Sequence, residues 1–203
     1  MKNPTSLDIG DLKRVARYLK GAPRCVQSFE FKGAGRAGKK LRIAGYVDSD
    51  HAGCAITRRS TIGLVVLLEG HVVKTKSLLQ STISLSSGES EYYALVLGAA
   101  EGLGLKALMA DWGHDASVAV YSDSSAARGM ASRRGLGRVR HVATRYLWIQ
   151  EKLRRKEIHI GKVGTHDNHS DFLTKAVAAD KLRKSLRDLG YRTFGAQEKS
   201  KGK

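Results

Sequence analysis

Four acidic residues in the sequence could together hold a metal ion. Asp48 and Asp123 each lie two positions after a tyrosine, at the ends of two apolar runs that are typical of β-strands. If these strands are parallel neighbours, both carboxylates lie at the sheet edge where ligands bind. Taken singly, each acid has a simpler explanation, Asp48 as a turn residue and Asp123 as the N-cap of a following helix.

The other two acids lie near the starts of predicted helices. Ala94, Leu95 and Gly98 follow Glu91 at the spacing of one helix face, so this glutamate shares a small apolar face that would pack on the sheet. A charge in that position needs a partner. Asp171 opens the last predicted helix. The alternative for both acids is a first-turn carboxylate that the helix dipole favours.

Four carboxylates that one sheet would bring together suit hard divalent cations, because Mg²⁺ takes oxygen ligands. Two such ions about 4 Å apart can activate a water molecule and stabilise the leaving oxygen of an in-line phosphoryl displacement. The convergence of the acids, rather than any single one, therefore predicts a site for two Mg²⁺ ions, in which Mn²⁺ can substitute.

The composition predicts a folded chain with a polyanionic partner. The 203 residues include 36 Lys and Arg against 19 Asp and Glu, a net charge of +17, which favours nucleic acid over an anionic membrane surface or a merely basic protein. Cys25 and Cys54 lack the spacing of a zinc finger or a disulfide framework. The sequence also lacks a long apolar span and a secretory signal, so we expect an intracellular protein without a membrane partner.

The main domain is predicted to open with three antiparallel strands. The first is LRIAGYVDSD, and the next two meet at a tight turn of Glu69 and Gly70. A long helix should follow from about Ser87 to Asp111. It would begin at a capping box in which Ser86 and Glu89 satisfy each other's backbone donors.

The second half of the domain should add parallel strands. SVAVYSD is the fourth strand, IHIGKVG is the fifth, and a basic loop and a helix lie between them. That helix would carry on one face Val139, Val142, Tyr146, Ile149 and Leu153. The last helix is predicted from about Asn168 to Leu189. This order of elements predicts an α/β fold with a mixed five-stranded sheet flanked by helices.

The ends of the chain are predicted to lie outside this domain. A short helix over residues 7–20 should stop at Gly21 and Pro23, with a small strand in CVQSFEF and a Gly- and Lys-rich linker after it. We therefore expect a helix and linker in residues 1–40, the main domain in 41–192 and a basic disordered tail in 193–203.

Six blocks of the sequence carry specific motifs: NPTSLDIGDLKRVARYLKG, GYVDSDHAGCAITRRSTIG, QSTISLSSGESEYYAL, VYSDSSAARGMA, RHVATRYLWIQEKL and THDNHSDFLTKAV. All six, in the same order, resemble the C-terminal end of the Pol polyproteins of copia-type retrotransposons. There a ribonuclease H domain follows reverse transcriptase, so residues 1–40 resemble a remnant of the reverse transcriptase end. Asn168-His169-Ser170-Asp171 departs from the family's usual Asn-Pro-Ala-Asp.

The resemblance implies a ribonuclease H-like fold and an endonuclease that hydrolyses the RNA strand of RNA/DNA hybrids during reverse transcription. It also implies metal ligands at the four motif positions Asp48, Glu91, Asp123 and Asp171. Asp50 competes with Asp48, since the DSD pair offers two acids, but only Asp48 shares its spacing from a tyrosine with Asp123.

The family further implies that a loop histidine can assist proton transfer, which makes His166 and His169 candidates; a solvated or capping role is the alternative. Basic side chains should hold the two phosphate backbones of a hybrid. The candidates are Arg58, Arg59, Arg133, Arg134, Arg138, Arg140, Arg145, Lys152, Arg154 and Arg155.

The expected partners are the RNA/DNA hybrid and the reverse transcriptase part of the parent polyprotein. The expected location is the cytoplasm, in virus-like particles, and the nucleus. Two other functions stay open at this point. One is a catalytically inactive, nucleic-acid-binding remnant of a decayed element. The other is an integrase-like DNA-joining enzyme, which would use three acids at a different spacing.

Overall fold

The structure, a computed structural model, describes residues 4–30, 40–135, 137, 141–142 and 144–194. The helices are α1 (Ser6–Gly21), α2 (Ser87–Asp111), α3 (Ser125–Ser132), α4 (Trp148–Arg154) and α5 (Ala179–Asp188). The strands are β1 (Arg24–Gln27), β2 (Leu41–Ser49), β3 (Thr61–Leu68), β4 (His71–Leu79), β5 (Ala116–Ser122), β6 (His159–Lys162) and β7 (Tyr191–Phe194). The described residues between 40 and 185 form one compact unit, and residues 4–30 with 186–194 form a smaller one.

The larger unit is built on a five-stranded sheet with the strand order β4-β3-β2-β5-β6. β2, β3 and β4 are antiparallel neighbours, whereas β5 pairs with β2, and β6 with β5, in parallel. This topology confirms the predicted fold class, an α/β fold with a mixed five-stranded sheet and helices packed on it. Because β2 and β5 run side by side in the same direction, the residues that follow them lie at one edge.

The hairpin between β3 and β4 turns at Glu69 and Gly70, as predicted. Their φ angles of 51° and 86° are those of a two-residue turn with left-handed backbone, which glycine adopts without strain. The Glu69 carboxylate accepts a hydrogen bond from the backbone N–H of Arg42 at 2.6 Å, which ties the turn to β2.

α2 begins and ends where the sequence predicts. Ser86 caps it by accepting a hydrogen bond from the backbone N–H of Glu89 at 3.2 Å. The reciprocal half of the predicted capping box is wrong, because the Glu89 carboxylate accepts from the backbone N–H of Leu85 and from the hydroxyl of Tyr93. Glu89 is 1% exposed, so interior partners replace the contact expected at an exposed cap.

The inner face of α2 is made of small residues that let it approach the sheet closely. Ala94 is fully buried, and Gly98 and Gly102 lie against valine side chains of β2 and β5. By length and composition α2 could also cross a membrane, but its burial identifies it as the core helix of this unit.

The predicted helix from Asn168 to Leu189 is wrong over its first half. The structure has 3₁₀ turns at Thr165–Asp167 and Asp171–Leu173, and α5 begins only at Ala179. The cause is Asn168, which is 1% exposed and donates its side-chain amide to the carbonyl of Val47 at 2.9 Å. Its side-chain oxygen also accepts the Ser170 hydroxyl at 2.7 Å, so it anchors a turn to β2 instead of a helix.

The helix predicted between the fourth and fifth strands is shorter than expected. A 3₁₀ turn covers Thr144–Tyr146 and α4 follows it, while Val139 lies outside the described residues. Val142 and Ile149 are buried, and Tyr146 and Leu153 pack on the core, which confirms the apolar pattern. Positive φ angles at Gly135 and Gly137 interrupt the helical backbone before this segment.

The smaller unit contains α1, β1 and β7. Thr5 and Asp8 form a reciprocal capping box at the start of α1, close to the predicted start at residue 7. β1 coincides with the small strand expected in CVQSFEF and pairs antiparallel with β7. β7 was not predicted, because a four-residue strand at the end of the chain has too few residues to show an alternating pattern.

The close approach of α2 to the sheet makes Gly98 sensitive to substitution. A Cβ there would meet Val47 Cγ1 at 2.7 Å and Val120 Cγ1 at 3.0 Å, whereas a Cβ on Gly104 of the same helix meets nothing within 4 Å. Gly98→Ala should therefore lower the free energy of unfolding by about 1–2 kcal/mol through overpacking. Gly104→Ala should raise it by about 0.5–1 kcal/mol through helix propensity. Urea denaturation of both variants measures this, and equal effects would contradict it.

Candidate active site

Three of the four predicted acids meet at the carboxyl edge of the sheet. Ligand oxygens of Asp48, Glu91 and Asp123 all lie within 4.8 Å of one another. The parallel register pairs Tyr46 with Tyr121, so the two acids that follow these tyrosines lie at the same end of β2 and β5. Glu91 reaches them from the second turn of α2. We call these three residues the acid triad.

Glu91 is the most constrained member of the acid triad. Its Oε1 accepts a hydrogen bond from the backbone N–H of Ser49 at 3.3 Å, while the buried Oε2 has no hydrogen-bond partner in the described part of the chain. Burial, together with the charges of Asp48 and Asp123, raises the pKa of Glu91 to about 8. A carboxylate in this position needs a cation to stay ionised at neutral pH.

Asp48 is 4% exposed and connects the acid triad to the two residues that follow the 3₁₀ turn Asp171–Leu173. Its Oδ2 accepts a hydrogen bond from the Thr174 hydroxyl and lies 3.9 Å from Nζ of Lys175. Burial, and to a smaller extent Asp171 and Asp123, raises the pKa of Asp48, and the contacts with Thr174 and Lys175 oppose this increase. The Thr174 hydroxyl therefore fixes the orientation of one carboxylate oxygen.

Asp171 lies beside the acid triad, and its carboxylate is held by two lysines. Nζ of Lys175 is 2.7 Å from Oδ1, and Lys181 contacts Oδ2. Burial raises the pKa of Asp171, but the ion pairs with the two lysines outweigh it and hold that pKa below its ordinary value. Its charge reaches Asp48, so Asp171 belongs to the same electrostatic site. Its role as a metal ligand stays a prediction.

The competing acid Asp50 is not part of this cluster. Its Oδ1 accepts a hydrogen bond from the backbone N–H of Thr61, across the loop that joins β2 to β3. The hydroxyl of Ser60 accepts from the backbone N–H of Ala52 in the same loop. Asp50 therefore closes a loop, and the geometry favours Asp48 as the acid of the DSD pair that can bind metal.

The two candidate histidines differ in their surroundings. His166 is exposed, whereas His169 is half-buried and meets the ring of Tyr46 edge-on, with centroids 5.0 Å apart. Tyr46 in turn stacks on Tyr121 at 5.2 Å. The predicted proton-transfer role of either histidine stays a prediction.

The predicted nucleic-acid-binding residues fall into three groups. The exposed ones are Arg58, Arg59, Arg134, Arg145, Arg154 and Arg155. Arg133 is half-buried, and Lys152 forms an ion pair with Glu157 at 2.6 Å. Arg138 and Arg140 lie outside the described residues.

Sequence reasoning missed several residues that build the site. Lys175 follows Asp171 by four positions, a spacing that could have suggested an ion pair, although the segment is a 3₁₀ turn and not an α-helix. No pattern in the sequence indicates Gln80, whose side-chain amide donates to Ser49 Oγ at 3.2 Å and to the Ser90 carbonyl at 2.9 Å. This buried glutamine joins the end of β2 to the start of α2.

The donor set of the acid triad fits a hard divalent cation. Three carboxylates supply oxygen ligands, and a buried oxygen of Glu91 lacks a partner among the residues described. A cation would remove both the repulsion between the acids and the cost of burying them.

Glu91 should make the stability of the metal-free protein depend on pH. Its pKa is raised from 4.5 to about 8 on folding, so the folded state binds the proton more tightly and loses stability as the pH rises through that interval. In EDTA at about pH 8.5, Glu91→Gln should therefore be more stable than the parent by roughly 1–3 kcal/mol. Near pH 4.5 the difference should be small. Urea denaturation along a pH series measures this. Identical pH profiles for parent and variant would contradict the raised pKa.

Comparison with known proteins identifies relatives over most of the chain. It is 30% identical over 184 residues to the retrovirus-related Pol polyprotein from transposon TNT 1-94 of Nicotiana tabacum, which covers 90% of this chain and 13% of the relative. It is 28% identical over 193 residues to the corresponding polyprotein from transposon RE2 of Arabidopsis thaliana, with 94% and 13% covered. The chain thus spans about 13% of the length of these relatives.

Among solved structures, the N-terminal ribonuclease H domain of a Mycobacterium tuberculosis protein is 17% identical. That match covers 73% of this chain and 98% of the domain, with a TM-score of 0.47. No protein-family model matches the chain. Over about nine-tenths of its length, the chain is homologous to part of the Pol polyproteins of copia-type retrotransposons, the relationship that its six sequence blocks predicted.

Proposed function

We propose that this chain is a metal-dependent endonuclease that hydrolyses the RNA strand of RNA/DNA hybrids during reverse transcription of a retrotransposon. The fold and the Pol relatives support a function of ribonuclease H type. The observation that carries the finer proposal is the acid triad, whose ligand oxygens lie within 4.8 Å of one another at the functional edge of the sheet.

In this proposal the acid triad binds metal with side chains from two elements of the fold, the sheet and α2. The site would hold two divalent cations, Mg²⁺ above all. When bound, they would supply polarisation of a phosphodiester and activation of a water molecule. Asp48 and Asp123 would hold the cation from the sheet, and Glu91 from α2. The Thr174 hydroxyl and the Ser49 N–H keep one oxygen each of Asp48 and Glu91 in place, so the ligands are preorganised.

The surface charge of the chain supports a nucleic-acid substrate. An acidic site repels phosphates, so a substrate with two phosphate backbones has to be held by basic groups around it. The net charge of +17 and the exposed arginines, among them Arg134 and Arg145, provide such groups.

We propose that the reverse transcriptase portion of a parent polyprotein acts beside this domain. We also propose cytoplasmic virus-like particles and the nucleus as its location.

One observation favours a second candidate, a nucleic-acid-binding remnant that does not cleave. Both oxygens of Asp171 are already paired with lysines, which would weaken it as a metal ligand. The remnant should bind hybrids with strong salt dependence and should not cut them.

Substitution of Asp123 tests the proposal directly. In the presence of Mg²⁺ the parent should cut a labelled RNA/DNA hybrid. Asp123→Asn should lower the cleavage rate by at least about 10²–10³-fold, the loss typical of a group that organises charge in the transition state. Hybrid binding, measured by fluorescence anisotropy, should persist. Unimpaired cleavage by this variant would exclude the assigned site, and a parent that binds but never cuts would establish the remnant.

Asp50→Asn is the matched control for that experiment. Asp50 is an acid just after β2, the strand that carries Asp48, but it accepts a loop hydrogen bond from Thr61 and lies outside the acid triad. It should therefore keep most of the cleavage activity, whereas Asp48→Asn should lose it as Asp123→Asn does. Loss in Asp50→Asn and retention in Asp48→Asn would reverse the assignment of the first ligand.

The basic residues should differ in their effect on hybrid binding. Arg134 is exposed, while the ammonium of Lys152 is 2.6 Å from Glu157. If Arg134 contacts one phosphate, Arg134→Ala should lower the slope of log Kd against log salt concentration by about 0.9. Lys152→Ala should leave the slope nearly unchanged. Binding titrations at several salt concentrations measure both slopes, and equal changes in the two variants would contradict the distinction.

A further inference from the structure

Lys175 places a positive charge inside the cluster of acids. Its Nζ is 2.7 Å from Oδ1 of Asp171 and 3.9 Å from Oδ2 of Asp48, so the ammonium lies between the two carboxylates. The two acids are largely excluded from solvent, with side chains 3% and 5% exposed, whereas the Lys175 side chain is 52% exposed. The Lys175 ammonium therefore enters the site from its solvent-exposed side, and its flexible side chain can also adopt conformations outside the site.

The acids of the site consequently form two groups with different charge compensation. Asp171 is contacted by Lys175 on one oxygen and by Lys181 on the other. In the acid triad, the nearest ammonium within the described part of the chain is that of Lys175, at 3.9 Å from Asp48. Only the triad still needs a cation.

We propose that Lys175 occupies, in the resting protein, the space between Asp48 and Asp171 that a second divalent cation would need. The free protein then holds one divalent cation at the acid triad, and a second one binds only when the Lys175 side chain has left. This inference rests on the metal site of the proposed function and defines how that site is filled.

The geometry explains why the ammonium and a second cation exclude each other. A divalent cation bound by Asp171 and Asp48 has to approach their oxygens to roughly 2.0–2.1 Å for Mg²⁺. Nζ of Lys175 already lies next to the oxygens that such a cation would need, at 2.7 Å from Oδ1 of Asp171 and 3.9 Å from Oδ2 of Asp48. Two positive charges would then lie a few ångströms apart beside two carboxylates that are largely excluded from solvent, so their repulsion would be less screened than in bulk water.

Lys181 provides the matched control. It contacts Asp171 on the other oxygen, Oδ2, and its side chain is 29% exposed. Removal of either ammonium changes the net charge by the same amount, but only Lys175 lies next to Asp48. A comparison of the two variants therefore separates the effect of the position of the ammonium from the effect of the net charge.

The test is a count of bound ions by titration with Mn²⁺, followed by electron paramagnetic resonance and calorimetry of the full chain without nucleic acid. The parent should bind one Mn²⁺, Lys175→Met should bind two, and Lys181→Met should bind one. Lys175→Arg, which keeps a cation on a long stem, should bind one. Lys175→Met combined with Asp171→Asn should return to one. Circular dichroism checks that each variant is folded.

Four outcomes would overturn the inference. They are two ions on the parent, one ion on Lys175→Met, two ions on Lys181→Met, or two ions on Lys175→Arg. Each of these leaves the acid triad as a metal site, so the proposed function would stand. If neither the parent nor any variant bound Mn²⁺, the metal site itself, and with it the proposed function, would fail.

Discussion

Mutual repulsion of carboxylates in a largely buried site is the constraint on which the rest of this structure depends. The sheet and α2 hold three acids with ligand oxygens within 4.8 Å of one another, and the pKa of Glu91 rises to about 8 as a result of burial and of its two neighbours. An arrangement of this kind is unfavourable for a fold that serves stability alone. The surrounding groups reduce that cost: the hydroxyl of Thr174 and the ammonium of Lys175 both act on Asp48.

Rigid elements hold the acids together despite this repulsion. Parallel pairing of β2 and β5 brings Asp48 and Asp123 to one edge, and the small face of α2 lets Glu91 approach them. Gln80, 3% exposed, hydrogen-bonds to both Ser49 and Ser90 and so links the end of β2 to the first turn of α2. The helix can therefore neither slide along the sheet nor lift from it without loss of buried hydrogen bonds.

Local signals explain which parts of the fold and site could be predicted from the sequence. The β3–β4 turn, the limits of α2 and the paired Tyr-x-Asp segments depend on neighbours in the chain, and all three predictions agree with the structure. The segment around Asp171 could not be predicted, because the amide of Asn168 binds the carbonyl of Val47, 121 residues away. A contact between such distant residues produces no periodic pattern in the sequence. Helix propensity therefore predicts a helix where the structure has 3₁₀ turns. The i,i+4 spacing of Lys175 from Asp171 is a local signal, but the approach of Lys175 to Asp48 joins distant parts of the chain and has none.

The structure also connects the basic loop between α3 and α4 to the acidic site. At the start of the loop, the side chain of Gln150 exchanges hydrogen bonds with the backbone of Gly135, at 2.9 and 3.0 Å. At its end, Nε2 of His141 lies 2.7 Å from the carboxylate of Glu89, two residues before Glu91 in α2. α2, which positions Glu91, thus also holds the end of this loop at His141 through Glu89. Under the proposed function, the support of a metal ligand and the support of the basic loop would then be the same helix.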